Sequence, residues 1–302
     1  MGACTYSEAV LSHAVKSTTL DAHGKITHLC YAMDVQQFLS SPHQHVSRDS
    51  VGADWIFGSL ENASALVESL TMGKPTKPIW DAYNSLKSKL DFQETSEAMV
   101  SIRRKRVYDE CGDEPSVDRW LTGDSRHWSY MRRIGRKPSV TIGIPLAMSC
   151  DNAEADFAAN VATAVVLVES LLSAGYQVRV LAVWSGHKLL TPTGQRSAIE
   201  AGITFPLMEY GEALDEANLL AYGTPGSCRY FCFEHIRQLM GRDGSVDSGL
   251  GYARPATPEA LALYGVDLMV AKVWEDDTGQ ASYISDLQAQ CARLVGLEAQ
   301  PA

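Results

Sequence analysis

The sequence predicts an α/β protein with a Rossmann-like, mainly parallel sheet flanked by helices, joined to a mixed, mainly helical N-terminal portion. Three observations carry this. Pro138 to Leu146 is apolar and β-branched, as a buried strand is; Ala155 to Ala174 is an almost wholly apolar run of helical length; and Gln177 to Trp184 returns to strand composition. Strand, helix and strand within about 45 residues make a βαβ unit, whose strands lie parallel.

Each element has a local reason. The polar cluster Ser149 to Asn152 follows the first strand as a loop and helix cap. Asp156, Asn160 and Thr163 form a narrow polar stripe at helical spacing, so the helix must be covered on most sides. Gly175 stands where a helix C-terminal cap belongs. Ile203 to Met208 is a further strand, and Pro206 places it at an edge or a strand end. Helical patterns follow at Leu214 to Tyr222 and Ser227 to Met240, a Gly, Asp and Ser loop at Gly241 to Gly251, a strand at Gly265 to Trp274 and a closing helix at Ser282 to Leu294.

In the first half, helical windows occur at Ser7 to Val15, Glu61 to Thr71 and Ile79 to Leu90, with Pro75 and Pro78 separating the last two. The division expected is residues 1–137 and residues 138–302. Composition leaves open whether the first portion is an independent domain or wraps the α/β core.

The chain has 302 residues, 45% hydrophobic and 21% charged, which is the balance of a soluble globular protein with a sizeable core. No apolar run reaches the length a membrane helix needs, since Thr163 and Glu169 interrupt the stretch from Val161 to Leu172. The N-terminus lacks the basic and apolar regions of a secretory signal, and Tyr6 stands where a myristoylation signal has Ser or Thr. The seven cysteines (Cys4, Cys30, Cys111, Cys150, Cys228, Cys232, Cys291) are odd in number and scattered. Reduced thiols in the cytoplasm are therefore expected.

A net charge of -10 repels nucleic acid and anionic membranes, with one local exception. Ser101 to Lys137 carries ten Lys/Arg and six Asp/Glu, a local +4 against -14 for the rest. Its basic residues include Arg103, Arg104, Lys105, Arg106, Arg132 and Arg133, with Trp120, Trp128 and Tyr130 between them. Basic side chains neutralise phosphates and aromatics stack on bases, so this patch is a candidate nucleic-acid contact. A solvated face, or pairing with Asp109, Glu110, Asp113 and Glu114, is the simpler reading, and the same patch could equally dock an acidic protein surface.

In an open α/β sheet the ligand crevice lies at the carboxyl ends of the strands. Its expected lining is Ser149 and Asp151, then Trp184, Ser185 and His187, then Glu275, Asp276 and Asp277. Polar residues entering ordinary loops give the same pattern. Ser149, His187 and an Asp could form a hydrolase triad, but Ser149 lies in Ala-Met-Ser-Cys-Asp, without the G-x-S-x-G elbow. Cys228, Cys232 and His235 are spaced as zinc ligands on a helix, yet Tyr230, Phe231 and Phe233 among them point to a buried face. No cofactor and no metal is expected.

The path IGIPLAMSCDN, a buried helix, then SAGYQVRVLAVW resembles the opening of von Willebrand factor A-type domains. The order of elements also resembles a group of uncharacterised tailed-phage proteins with a degenerate version of that domain. There, Trp120-Leu-Thr-Gly-Asp-Ser-Arg-His-Trp-Ser-Tyr-Met131 and Pro225-Gly-Ser-Cys-Arg-Tyr-Phe-Cys-Phe233 are the comparable motifs. The adhesion-site motif Asp-x-Ser-x-Ser of these domains falls on Pro145, Ala147 and Ser149, so two of three metal ligands are missing. The resemblance implies a phage-encoded protein acting in the host cytoplasm or the particle, and because the metal ligands are degraded and no catalytic set is complete, the expected function is a non-catalytic protein-interaction module. The alternative is a nucleic-acid-associated protein or a hydrolase using the strand-end crevice.

Overall fold

The computed structural model describes residues 15–20, 22, 26–40, 53–89, 104–133, 139–146, 153–186, 200–235, 256–270 and 284–290. Its frame is a six-stranded mixed sheet. β1 (Val15–Leu20), β2 (Ile26–Ala32), β6 (Ser139–Pro145), β7 (Gln177–Gly186), β8 (Glu200–Met208) and β9 (Leu268–Met269) lie in the order β1-β2-β8-β7-β6-β9. The pairs β2/β8, β7/β6 and β6/β9 are parallel, while β1/β2 and β8/β7 are antiparallel.

The expected βαβ unit is present. α6 (Glu154–Ser173) connects β6 to β7, and the register Ile142↔Val180 and Ile144↔Ala182 keeps their apolar residues level. Gly175, at φ 85°, ends the helix in a left-handed turn. The Tyr176 amide donates to the Leu171 carbonyl and the Gly175 amide to the Leu172 carbonyl, which satisfies the last turn. Asn160 and Thr163, the expected polar stripe, are buried, and Thr163 donates back to the Ala159 carbonyl at 2.7 Å. α6 is long and apolar enough to cross a membrane, but most of it is covered by the sheet and by neighbouring helices.

Three findings bear on the expected strands. Val15–Leu20 and Ile26–Ala32 fall in the portion expected to be mainly helical, yet they form β1 and β2 and extend the central sheet past β8. Short alternating segments such as Ile26–Ala32 are ambiguous by period, and only pairing with β8 decides them. Pro206 is in β8, which is internal rather than an edge, and it stands near the end of that strand, the other position expected for it. Its missing amide is tolerated because β2 pairs with β8 only as far as Thr204, and the register shift at Val180/Leu181 loosens the ladder on the other side. The expected strand from Gly265 begins later, because Gly265 at φ 70° caps α8 (Pro258–Tyr264).

Helices cover both faces of the sheet. α3 (Ala63–Thr71) and α4 (Lys77–Lys89) realise the two expected N-terminal windows, and α4 packs along α6. α1 (Val35–Leu39), α2 (Ala53–Phe57), α7 (Glu216–Ala221) and a π-helical turn at Ser227–Cys232 close an aromatic cluster in which Phe38 stacks on Phe205 at 4.1 Å. α8 covers the opposite face against Leu181, Val183 and Cys30. Residues 284–290 are helical and return to α6, where Gln288 bonds Ser170.

A second, three-stranded antiparallel sheet is built from β3 (Arg104–Asp109), β4 (Glu114–Pro115) and β5 (Trp128–Arg133), in the order β3-β5-β4. α5 (Val117–Leu121) bridges β4 and β5.

Candidate functional site

A polar cluster forms where β7 ends and β8 begins. Ser185 is the last side chain but one of β7, Glu200 opens β8, and His28 stands opposite Glu200 in β2. Thr257 and Tyr264, from the two ends of α8, lean onto the same place. The ring of Tyr264 can approach because Gly202 of β8 has no side chain there.

The hydrogen bonds in this cluster all run toward Glu200. Ser185 Oγ donates to Glu200 Oε1 at 3.0 Å and Thr257 Oγ1 donates to Oε2 at 3.1 Å. With the Ser185 proton committed, its oxygen accepts from the Tyr264 hydroxyl at 3.3 Å. With the Thr257 proton committed, its oxygen accepts from the Ala260 amide at 3.2 Å and from His28 Nε2 at 3.3 Å. His28 therefore carries a proton on Nε2, which also lies 3.8 Å from Glu200 Oε2. Burial pushes the Tyr264 phenol up, opposed by its bond to Ser185, and burial likewise raises the Cys30 thiol beside Thr204.

This differs from a nucleophilic triad, where the base takes the serine proton and the carboxylate stands behind the base. Here Ser185 meets the carboxylate directly and His28 reaches the same carboxylate from the other side. The direct result is to fasten both ends of α8 to the sheet.

Of the crevice residues expected from sequence, Ser149, Asp151, His187, Glu275, Asp276 and Asp277 lie outside the described residues. Trp184 is 2% exposed and belongs to the aromatic cluster on the α6 side, so it is a core side chain. Ser185, its neighbour, points to the other face and enters the polar cluster. His28, Glu200, Thr257 and Tyr264 were missed because they are far apart in sequence and no spacing rule joins them. Cys228, Cys232 and His235 are buried, and His235 Nε2 meets the Phe38 carbonyl at 2.8 Å. Burial and the nearby Cys228 push the Cys232 thiol up, so it favours the neutral form. Among the described residues no group of three His, Cys, Asp or Glu is placed to hold a metal.

The basic segment is brought together. Register sets Arg104 opposite Arg133 and Lys105 opposite Arg132, and Arg106 opposite Met131. Arg103 lies outside the described residues. Arg106 pairs with Glu114 at 3.1 Å, and both are exposed, so the pair adds little stability. Next to this ladder, the Arg119 guanidinium lies 4.0 Å over the Tyr108 ring and pairs with Asp124 at 3.1 Å. That contact seats α5 with Val117, Trp120 and Leu121 exposed.

Residues 34–292 match the model of a family described as a domain of unknown function (DUF7192). The chain belongs to this family. The DUF7192 match runs from the start of α1 through α8 and the helical residues 284–290, so both sheets and the polar cluster fall largely within it. β1 and β2 precede its first residue. No curated protein and no solved structure matches the chain.

Proposed function

We propose that the protein is a non-catalytic interaction module and that α5 is the face it offers to a protein partner. Exposure carries the reading: Val117, Trp120 and Leu121 are 60%, 62% and 71% exposed, and α5 has no buried residue. They stand at i, i+3 and i+4, hence on one side of the helix. Large apolar side chains held together in water gain nothing from folding and gain free energy when a partner covers them. The same spacing serves as anchors when a helix docks in a groove. The stretch Asp109 to Asp124 around them carries six acidic residues against Arg119, so the partner that fits presents an apolar cleft with a basic rim.

The kinship to von Willebrand A-type domains belongs to the same reading. It is supported by the parallel β6/β7 pair on either side of α6, and by Pro145 closing β6 where the family carries its first metal ligand. Pro offers no side-chain oxygen, so the proposal assigns the site no metal. A phage origin, with the host cytoplasm or the particle as the place of action, rests in this proposal on the quoted motifs.

The test is capture from host lysate by the tagged full chain, beside a Trp120→Ala/Leu121→Ser variant, with melting temperatures of both. The reading expects a stoichiometric partner with a basic surface that the variant loses while its melting temperature is unchanged. Equal recovery by both proteins would remove α5 as the docking face.

A further inference from the structure

We infer that the face of the small sheet carrying Lys105, Arg132, Tyr130 and Trp128 binds single-stranded nucleic acid. Register pairs Lys105 with Arg132, Val107 with Tyr130 and Asp109 with Trp128, and strand alternation places these six residues on one face. Arg104, Arg106, Tyr108, Ser129, Met131 and Arg133 take the other. Arg119 over Tyr108 and the Arg106 to Glu114 pair show that α5 and β4 engage that second face. The first face is thus the one α5 leaves alone.

Register sets Lys105 opposite Arg132 on this face, which places two basic positions together at its end. A phosphate backbone fits this basic end of the face. Tyr130 and Trp128, half-buried and two residues apart on β5, continue the same face at a separation of roughly 7 Å. Aromatic rings in a row beside a basic groove stack successive bases with little sequence preference. Asp109 at the far end, and the -14 charge outside the segment, repel phosphates and confine the strand to this face. A duplex keeps its bases stacked on one another and has none to offer Tyr130 and Trp128. The inference does not rest on the role of α5.

The experiment is fluorescence anisotropy of the full chain with a labelled oligothymidylate, titrated between about 50 and about 200 mM salt. With about two phosphates neutralised, by Lys105 and Arg132, log affinity should fall against log salt with a slope of about -1.4. Lys105→Glu puts a carboxylate opposite Arg132, so it should lower affinity about tenfold or more while the melting temperature holds or rises. Tyr130→Leu should weaken binding by about tenfold with the salt slope unchanged. Equal or tighter binding of a duplex, equal competition by polyglutamate, or affinity indifferent to Lys105→Glu would each overturn the inference. Equal partner recovery by the wild type and the Trp120→Ala/Leu121→Ser variant, with nucleic-acid binding intact, would sink the proposed function alone.

Discussion

The phenol ring of Tyr264 fills the space that a side chain on Gly202 would need. A Cβ there would stand 2.5 Å from Tyr264 Cζ. Gly202 lies in the middle of the sheet, opposite Cys30 in β2 and Ser185 in β7, so neither the strand nor the ring has room to yield. Close approach of α8 to the sheet, and with it the bond from Tyr264 to Ser185, depends on this glycine.

Gly202→Ala should therefore destabilise the fold by about 1–3 kcal/mol, the usual cost of overpacking. It should also speed amide exchange in α8 before the rest of the sheet. Urea unfolding and hydrogen exchange read the two effects. An unchanged midpoint would show that the ring does not sit over Gly202.

Glu154, in the first turn of α6, holds the chain that precedes the core helices. Its carboxylate accepts from the Ser59 amide at 2.9 Å, the Ser59 hydroxyl at 2.8 Å and the Thr76 hydroxyl at 3.1 Å. Gly58, at φ 65°, brings the backbone against it. Hydrogen bonds to a charged group contribute about 1.5–3 kcal/mol, so Glu154→Ala should cost that much and Glu154→Gln less. Denaturant midpoints in the order wild type, Gln, Ala are expected; equal midpoints for the two variants would refute the clamp.

Alkaline pH should unfold the protein through groups whose pKa is raised by folding. Lys87 is raised by its bond to Glu169 at 2.6 Å and then by Tyr83 at 2.9 Å. Tyr83 and Tyr264 are raised chiefly by burial, and burial pushes Tyr222 up to about 12. A group raised on folding stabilises fully below its unfolded value, near pH 10 for these types, and loses that stability as pH climbs through the folded value. Stability from these groups should hold from neutral to about pH 10 and fall above it. Tyr222→Phe should flatten the alkaline limb of a denaturation series; a limb of the same slope would exclude Tyr222 as a contributor.

Much of the core was legible in the chain because it is local. β6, α6, Gly175 and β7 follow one another, and each is announced by its own composition and cap. α3 and α4 were readable for the same reason. β1 and β2 were not, since a short alternating strand looks like many loops until β8 supplies its partner. The polar cluster was half-visible: Ser185 follows from the strand-end rule, but His28, Glu200, Thr257 and Tyr264 meet it from β2, β8 and the two ends of α8.

The basic segment divides in the same way. Its charge and its aromatics are plain in the sequence, whereas which of them share a face depends on the register of β3 against β5. A slip of one residue would exchange the faces and part Lys105 from Tyr130 and Trp128.

By itself the sequence determined an α/β protein with a buried central helix, a parallel β6/β7 pair and one basic segment on an acidic chain. These follow from period, caps and charge, which neighbours along the chain express. Only the tertiary structure decided that β1 and β2 extend the sheet, that Trp184 faces the core while Ser185 faces Glu200, and that α5 holds its apolar side outward. Those depend on strand pairing and on which face of an element is covered, and the free energy that settles them comes from contacts between residues far apart in sequence.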